Sequence, residues 1–230
     1  MHKDHQTKIT RILTRMLMLG LCIALLAACA TARPEPPRAI WQCDPDLDAA
    51  VARGEWEDAL EGHQQLVRLN PYNCLAIYHL GYIWGHLGDR SREVAAYEQA
   101  IACGYDGDDR LYFNLGMAYG DLEDLERATE ALTTAIDLNP DNGDNYFGLA
   151  LIADAAGRPD DAEQALLRAS AVDPAHLEAH LELVRRYLDQ GRWEEARSRL
   201  AVIQAMDPNN VEALSLQHLL ESRQSTQYNR

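Results

Sequence analysis

The sequence predicts an all-α solenoid of stacked antiparallel helix pairs, and three observations carry that prediction. Apolar residues recur at helical spacing from residue 40 almost to the C-terminus. Asn-Pro and Asp-Pro turns fall at a fixed interval: Pro140, Pro174 and Pro208 are 34 residues apart, and Pro71 lies 69 residues before Pro140, one 34 and one 35. Gly54, Gly88, Gly157 and Gly191 mark a second turn within the interval, between the two helices of a pair.

The first element is not part of the solenoid. Lys8, Arg11 and Arg15 precede a 13-residue apolar run, Met16 to Ala28, and Leu26-Ala27-Ala28-Cys29 follows at its end. The run is shorter than the ~20 residues a spanning helix needs. This order resembles a bacterial lipoprotein signal peptide over residues 1–28. The resemblance implies cleavage before Cys29 and two or three acyl chains on it, and two are enough for stable anchoring. Ala30 stands where an Asp favours inner-membrane retention in many Gram-negative lipoproteins, so the resemblance implies the periplasmic face of the outer membrane. Residues 29–39 then form a tether, stiffened by Pro34, Pro36 and Pro37 and with nothing apolar to dock it.

Aligned on the proline turns, other residues fall into register. Leu80-Gly81, Leu115-Gly116, Leu149-Ala150 and Leu183-Val184 share one position, and Trp84, Tyr119, Ala153 and Tyr187 lie three residues on. Ala59, Ala128, Ala162 and Ala196 recur five residues after the inner turn, with Glu93 in the remaining unit, and Ala100, Ala135 and Ala169 recur near the end of the second helix. This pattern resembles the tetratricopeptide repeat, which implies a right-handed superhelical solenoid. The units are 40–73, 74–108, 109–142, 143–176 and 177–210, followed by a capping helix at 211–220 and a polar tail at 221–230. The first unit is degenerate, with Cys43 and Leu47 at the aromatic and glycine positions, and its helix is expected to start late, with Asp44 as cap and Pro45 in its first turn. The second lacks its terminal proline and is one residue long through Cys103 to Asp109, a bulge or a binding loop.

The resemblance also implies that the first helix of each pair lines a concave groove. Its fifth positions are Tyr78, Phe113, Phe147 and Leu181; its ninth are Tyr82, Met117, Leu151 and Arg185; His86 is among the later ones. An exposed aromatic and apolar stripe with acidic neighbours fits a protein partner, through an amphipathic helix or extended peptide bearing aliphatic anchors and a few Lys or Arg. The stripe could instead be inter-repeat packing, or be occupied by self-association. Arg185 could hold a peptide carboxylate or pair with a nearby acidic residue.

Three cysteines remain beside Cys22 and Cys29. Cys43, Cys74 and Cys103 fall on one edge of the array, and the cell envelope favours disulfides. Cys74 can reach Cys103 across its own hairpin or Cys43 across the first boundary, with Cys43–Cys74 preferred; three buried free thiols are the alternative. Charge and motifs narrow the function further. The chain carries −15, and residues 1–28 remove Lys3, Lys8, Arg11 and Arg15 against Asp4, so the mature chain carries −18 and repels nucleic acid. No phosphate loop, H-E-x-x-H, C-x-x-C or G-x-S-x-G is present. His63, His79, His86, His176, His180 and His218 are spread through the repeats with no sequence spacing for a zinc site. No catalytic residue, cofactor or metal is therefore expected, and the chain is read as a non-enzyme. In build it resembles type IV pilus pilotins and the adaptors of murein endopeptidases. The function expected is a lipid-anchored periplasmic adaptor for an envelope, pilus or secretion complex; the alternatives are an adaptor for peptidoglycan hydrolases and a structural scaffold subunit.

Only the Cys29 thiolate can form a thioether at the cleavage point. Fatty-acid labelling is expected in the wild type and absent in Cys29→Ser, which accumulates as unprocessed or mislocalised protein; equal labelling of both would reject the anchor.

Overall fold

A computed structural model describes residues 44–228; the signal segment, Cys29, the tether and Cys43 lie outside the described residues. These hold eleven helices: α1 (Pro45–Arg53), α2 (Trp56–Leu69), α3 (Cys74–His86), α4 (Arg90–Cys103), α5 (Asp109–Asp121), α6 (Leu125–Leu138), α7 (Gly143–Ala155), α8 (Pro159–Val172), α9 (Leu177–Asp189), α10 (Trp193–Met206) and α11 (Val211–Tyr228). They form an all-α solenoid of antiparallel helix pairs. The late start of the first unit is as the sequence predicts: the Asp44 carboxylate accepts from the Asp46 amide at 2.9 Å and Pro45 occupies the first turn.

Short polar side chains set the other starts. Asn73, Asp89, Asp108, Asp124 and Asn142 each accept a backbone amide at the head of α3, α4, α5, α6 and α7. His176 does the same for α9 through Nδ1, 3.2 Å from the Ala179 nitrogen. Inside each pair small residues sit where the helices cross. Ala59, Ala128, Ala162 and Ala196, with Ala100, Ala135 and Ala169, are all 0% exposed. Gly81 goes further: a Cβ there would lie 2.5 Å from the ring of Tyr97, which is itself buried. The missing methyl is what lets the Tyr97 ring lie against α3.

The apolar core falls into three clusters, and the smallest is at the N-terminal end. Among the described residues its buried apolar members are Ala50, Ala59 and Ile83, with Val51, Leu60 and Leu87 against them. The next is built on Ile77, Tyr97, Leu111, Leu115 and Leu132, and the last on Leu166, Leu183, Val184, Leu188 and Ile203. Leu149 packs on both of these larger clusters.

The C-terminal helix departs from expectation. Instead of ending at Leu220 before a polar tail, α11 continues to Tyr228. Its polar residues account for this. Arg223 donates to the Leu188 carbonyl at 2.8 Å and pairs with Asp189 at 3.2 Å, so it caps the end of α9. Arg197 of α10 donates to the Gln224 side chain at 3.1 Å. Docking, without apolar periodicity, holds the added turns.

The inner turn needs a left-handed residue in every unit. Gly54, Gly88, Gly157 and Gly191 supply it with φ between 68° and 78°. In the third unit that residue is Glu123, at φ 61°. A side chain there costs roughly 1–2 kcal/mol, of which glycine's greater unfolded-state freedom returns part. Glu123→Gly is therefore expected to stabilise the protein by about 0.5–1 kcal/mol and Glu123→Ala not to, as read from urea midpoints.

Candidate functional site

Two adjoining clefts open beside the first helices α3 and α5. One, of about 320 Å³, lies between Tyr82, Gly85 and His86 on α3, Arg90, Glu93 and Tyr97 on α4, and Asn114, Met117, Ala118 and Asp121 on α5. The second, of about 440 Å³, is walled by Tyr78, His79 and Tyr82, by Phe113 and Asn114, and by Tyr105 of the loop after α4. Tyr82 and Asn114 line both clefts. The extra residue in the loop after Cys103 explains Tyr105. Gly104 turns left-handed at φ 110°, and the Tyr105 ring folds back to stack on Tyr78 at 5.2 Å, its hydroxyl donating to Asp108 at 2.7 Å. The bulge builds a wall.

The nine residues expected in the groove divide by position. At the fifth positions Tyr78 and Leu181 are buried, 9% and 6% exposed, while Phe113 and Phe147 are half-buried against the two larger core clusters. That row is largely inter-repeat packing. The ninth row faces outward: Tyr82 and Leu151 are 37% and 38% exposed and Met117 is half-buried. Arg185, also on that row, is engaged. It pairs with Glu182 at 2.6 Å and with Glu212 of α11, so the acidic-pair alternative is the one the structure adopts over a waiting carboxylate clamp. His86 is flanked by aromatic rings, stacked on Trp56 at 4.0 Å and edge-on to Tyr82 at 4.6 Å. Tyr78, Tyr82, His86, Phe113 and Met117 line the two clefts; Phe147, Leu151, Leu181 and Arg185 do not.

Sequence reasoning missed the polar half of the site. Glu93 occupies the position that is alanine in four other units, and that substitution was its visible signal. Its side chain is 8% exposed and accepts from Arg90 at 2.7 Å; Arg90 in turn holds Asp121 at 2.7 Å and the Gly85 carbonyl at 3.2 Å. The carboxylate lies where a Cβ on Gly85 would be, 2.5 Å from Glu93 Oε1. Asn114 lines both clefts, beside Tyr97 in one and Tyr78 in the other, and burial pushes the pKa of both phenols up. Asn114 carries no sequence signal, since it stands alone at its repeat position.

Below the clefts Cys74 and Cys103 form a disulfide across their own hairpin, with Sγ atoms 1.94 Å apart and Cα atoms 5.5 Å apart. The sequence preference for Cys43–Cys74 is corrected accordingly. Gly104, terminating α4 directly after Cys103, brings that thiol to the head of α3.

The comparisons with known proteins agree on architecture. Tetratricopeptide repeat profiles match residues 113–176 and 155–220. No characterised protein matches the chain significantly by sequence. Among solved structures, Pseudomonas aeruginosa pilF is similar at TM-score 0.68 and 17% identity, over 79% of this chain and 82% of that one. YrrB, described as a TPR protein with an unusual peptide-binding site, is similar at TM-score 0.59 and 21% identity, over 75% and 88%. TTC0263 from Thermus thermophilus is similar at TM-score 0.58 and 23% identity, over 76% and 95%.

Burial raises the Glu93 pKa, and Arg90 only partly opposes it. A carboxyl protonated more readily when folded contributes stability that is present below its unfolded pKa of about 4.3. That contribution is lost as pH rises through the raised folded value. The stability of wild type relative to Glu93→Gln is thus expected to fall from pH 4 to pH 7, measured by urea unfolding; a difference that does not change with pH would place the carboxylate in solvent. Glu93 is therefore a costly group held in the wall of a cleft, within a solenoid of tetratricopeptide-type helix pairs.

Proposed function

We propose that this chain is a lipid-anchored periplasmic adaptor, held at the outer membrane by acyl chains on Cys29, which binds a protein partner through the clefts of α3 and α5. The observation that carries the reading is the junction of two clefts at Tyr82 and Asn114, where an exposed aromatic ring and the half-buried Met117 thioether lie beside polar side chains able to bind backbone. An extended or helical segment crossing from one cleft to the other would lay aliphatic anchors on Tyr82 and Met117. Its basic residues would meet Asp121, whose side chain is 49% exposed, on a chain whose formal net charge is −15. That charge steers a cationic partner and repels nucleic acid. YrrB is described as having a peptide-binding site, which supports a peptide as ligand for this architecture. The Cys74–Cys103 bond suits an oxidising compartment. Among the described residues no helix is long and apolar enough to cross a membrane, so Cys29 is the proposed attachment. The complex served is an envelope assembly, of the pilus, secretion or cell-wall type.

The test centres on the outward row. Photo-crosslinkers at Tyr82 and Met117 in the acylated protein, in its native envelope, are expected to capture one client. Tyr82→Ser with Met117→Ser should weaken binding of the captured segment by at least ~2 kcal/mol, about thirtyfold, because aromatic anchors dominate such interfaces. Thermal unfolding of the double variant should stay close to wild type. Unchanged affinity would remove the clefts from the interface. Phe113→Ser and Phe147→Ser do not make this test, because both rings pack on the core clusters.

A further inference from the structure

Three side chains that share no sequence motif meet where α1, α2 and α3 pack together. His63 of α2 is fully buried, and its Nδ1 lies 2.8 Å from the Ala59 carbonyl of the preceding turn. A carbonyl can only accept, so that nitrogen carries the proton and Nε2 presents a lone pair. Nε2 lies 3.1 Å from Nδ1 of His79 on α3, and that same Nδ1 lies 3.4 Å from Oδ1 of Asp48 on α1. One donor atom from each residue falls within 4.8 Å of both others.

We propose that Asp48, His63 and His79 form a site for a divalent transition-metal cation of the zinc class, clamping the first helix pair to the second. Two imidazoles and one carboxylate are a donor set that zinc accepts in tetrahedral geometry, with one position open. Bonds of about 2.0–2.1 Å in that geometry separate neighbouring donor atoms by about 3.3–3.4 Å. Two of the three separations, 3.1 and 3.4 Å, lie within tenths of an ångström of it, and the third, from His63 to Asp48, is no more than 4.8 Å. The bond from His63 to the Ala59 carbonyl supplies the outer partner that metal-binding imidazoles use to fix their ring and tautomer. Access is open on one side: the side chains of His79 and Asp48 are 24% and 46% exposed, so a cation can enter and a water can complete its shell. The site also answers a structural need. The core under α1 is the smallest of the three, with Ala50, Ala59 and Ile83 its only buried apolar residues among those described. A cation bound by three successive helices would crosslink them where packing is thinnest.

The probe is Zn²⁺ added to the full chain after chelator treatment, in a background with Cys22, Cys29 and Cys43 each replaced by Ser, so that no cysteine outside the Cys74–Cys103 bond competes as a ligand. Titration against a chromogenic chelator is expected to give one equivalent bound at micromolar affinity or tighter, and Co²⁺ substitution to give tetrahedral d–d absorption. Zinc should raise the melting temperature. Asp48→Asn and His79→Gln, both at partly exposed positions, should each weaken binding at least about tenfold and abolish the zinc-dependent rise. His63→Ala removes a buried ring and can fail to fold, so the result does not depend on it. Absence of binding, or binding unaffected by both variants, overturns the proposal; the second outcome would move the cation elsewhere, for instance to His176 and His180.

Discussion

The close approach of the two helices in each pair is the contact on which the solenoid depends. It is made possible by alanines with no exposed surface at the crossings, Ala59, Ala128, Ala162 and Ala196 from one position and Ala100, Ala135 and Ala169 from another. Each lets a backbone advance into space that a larger residue would occupy. Large side chains then fill what remains beside the crossing, as Leu132 and Leu166 do with no exposure. Gly116 shows how tight the fit is: a Cβ there would lie 2.7 Å from Leu132. Because each unit packs on its neighbours alone, stability is a sum of local terms with no distant contacts to rescue a weak one.

The same constraint explains why the clefts lie where they do. Glu93 breaks the alanine pattern, and no such side chain can enter a crossing without displacing something. Gly85 gives way on the facing helix, Arg90 supplies the compensating charge, and a cavity with one charged wall opens between units. Two residues past the same helix, Tyr105 fills part of the next interval from a loop one residue too long for the repeat. Both departures from the pattern fall in the second unit, and both clefts are lined by that unit. Burying a carboxylate costs stability even when it is paired. A stretch that is suboptimal for packing in two independent ways is better explained by what it presents to a ligand than by how it folds.

The sequence made the fold legible because a 34-residue period repeats its information. The turn glycines and the Ala pairs fix helix bounds that no single unit would fix. Reading the groove was harder. Tyr78 and Leu181 share a repeat position with Phe113 and Phe147, and one sequence position does not say how near the next unit stands. That spacing decides whether a ring is wall or core: it buries Tyr78 and Leu181 of the fifth row, leaves Phe113 and Phe147 half-buried, and leaves Tyr82 and Leu151 of the ninth exposed. Asn114 was invisible for the opposite reason, having no counterpart in the other units. The length of α11 was missed because its last turns are held by Arg223 on the end of α9, a contact 35 residues away in sequence. His63 and His79 are 16 residues apart on different helices, so no motif could join them.

The two ends of the described array are built differently, and in such arrays stability is set unit by unit. The opposite end is closed by α11, with Leu220 buried and Arg223 over the α9 carbonyls. At the N-terminal end α1 has nine residues and few buried apolar groups. Were Cys29 the membrane attachment, as proposed, load on a bound partner would pass along the chain through this unit. Side-chain contacts join α2 to α3 here, His63 to His79 and the nearby stacking of Trp56 on His86. Both link α2 to α3, so they hold the second helix of the degenerate unit to the first complete one. The clefts are lined mainly from α3 to α5, so under the proposed function the partner site would lie just C-terminal to the α1–α2 pair.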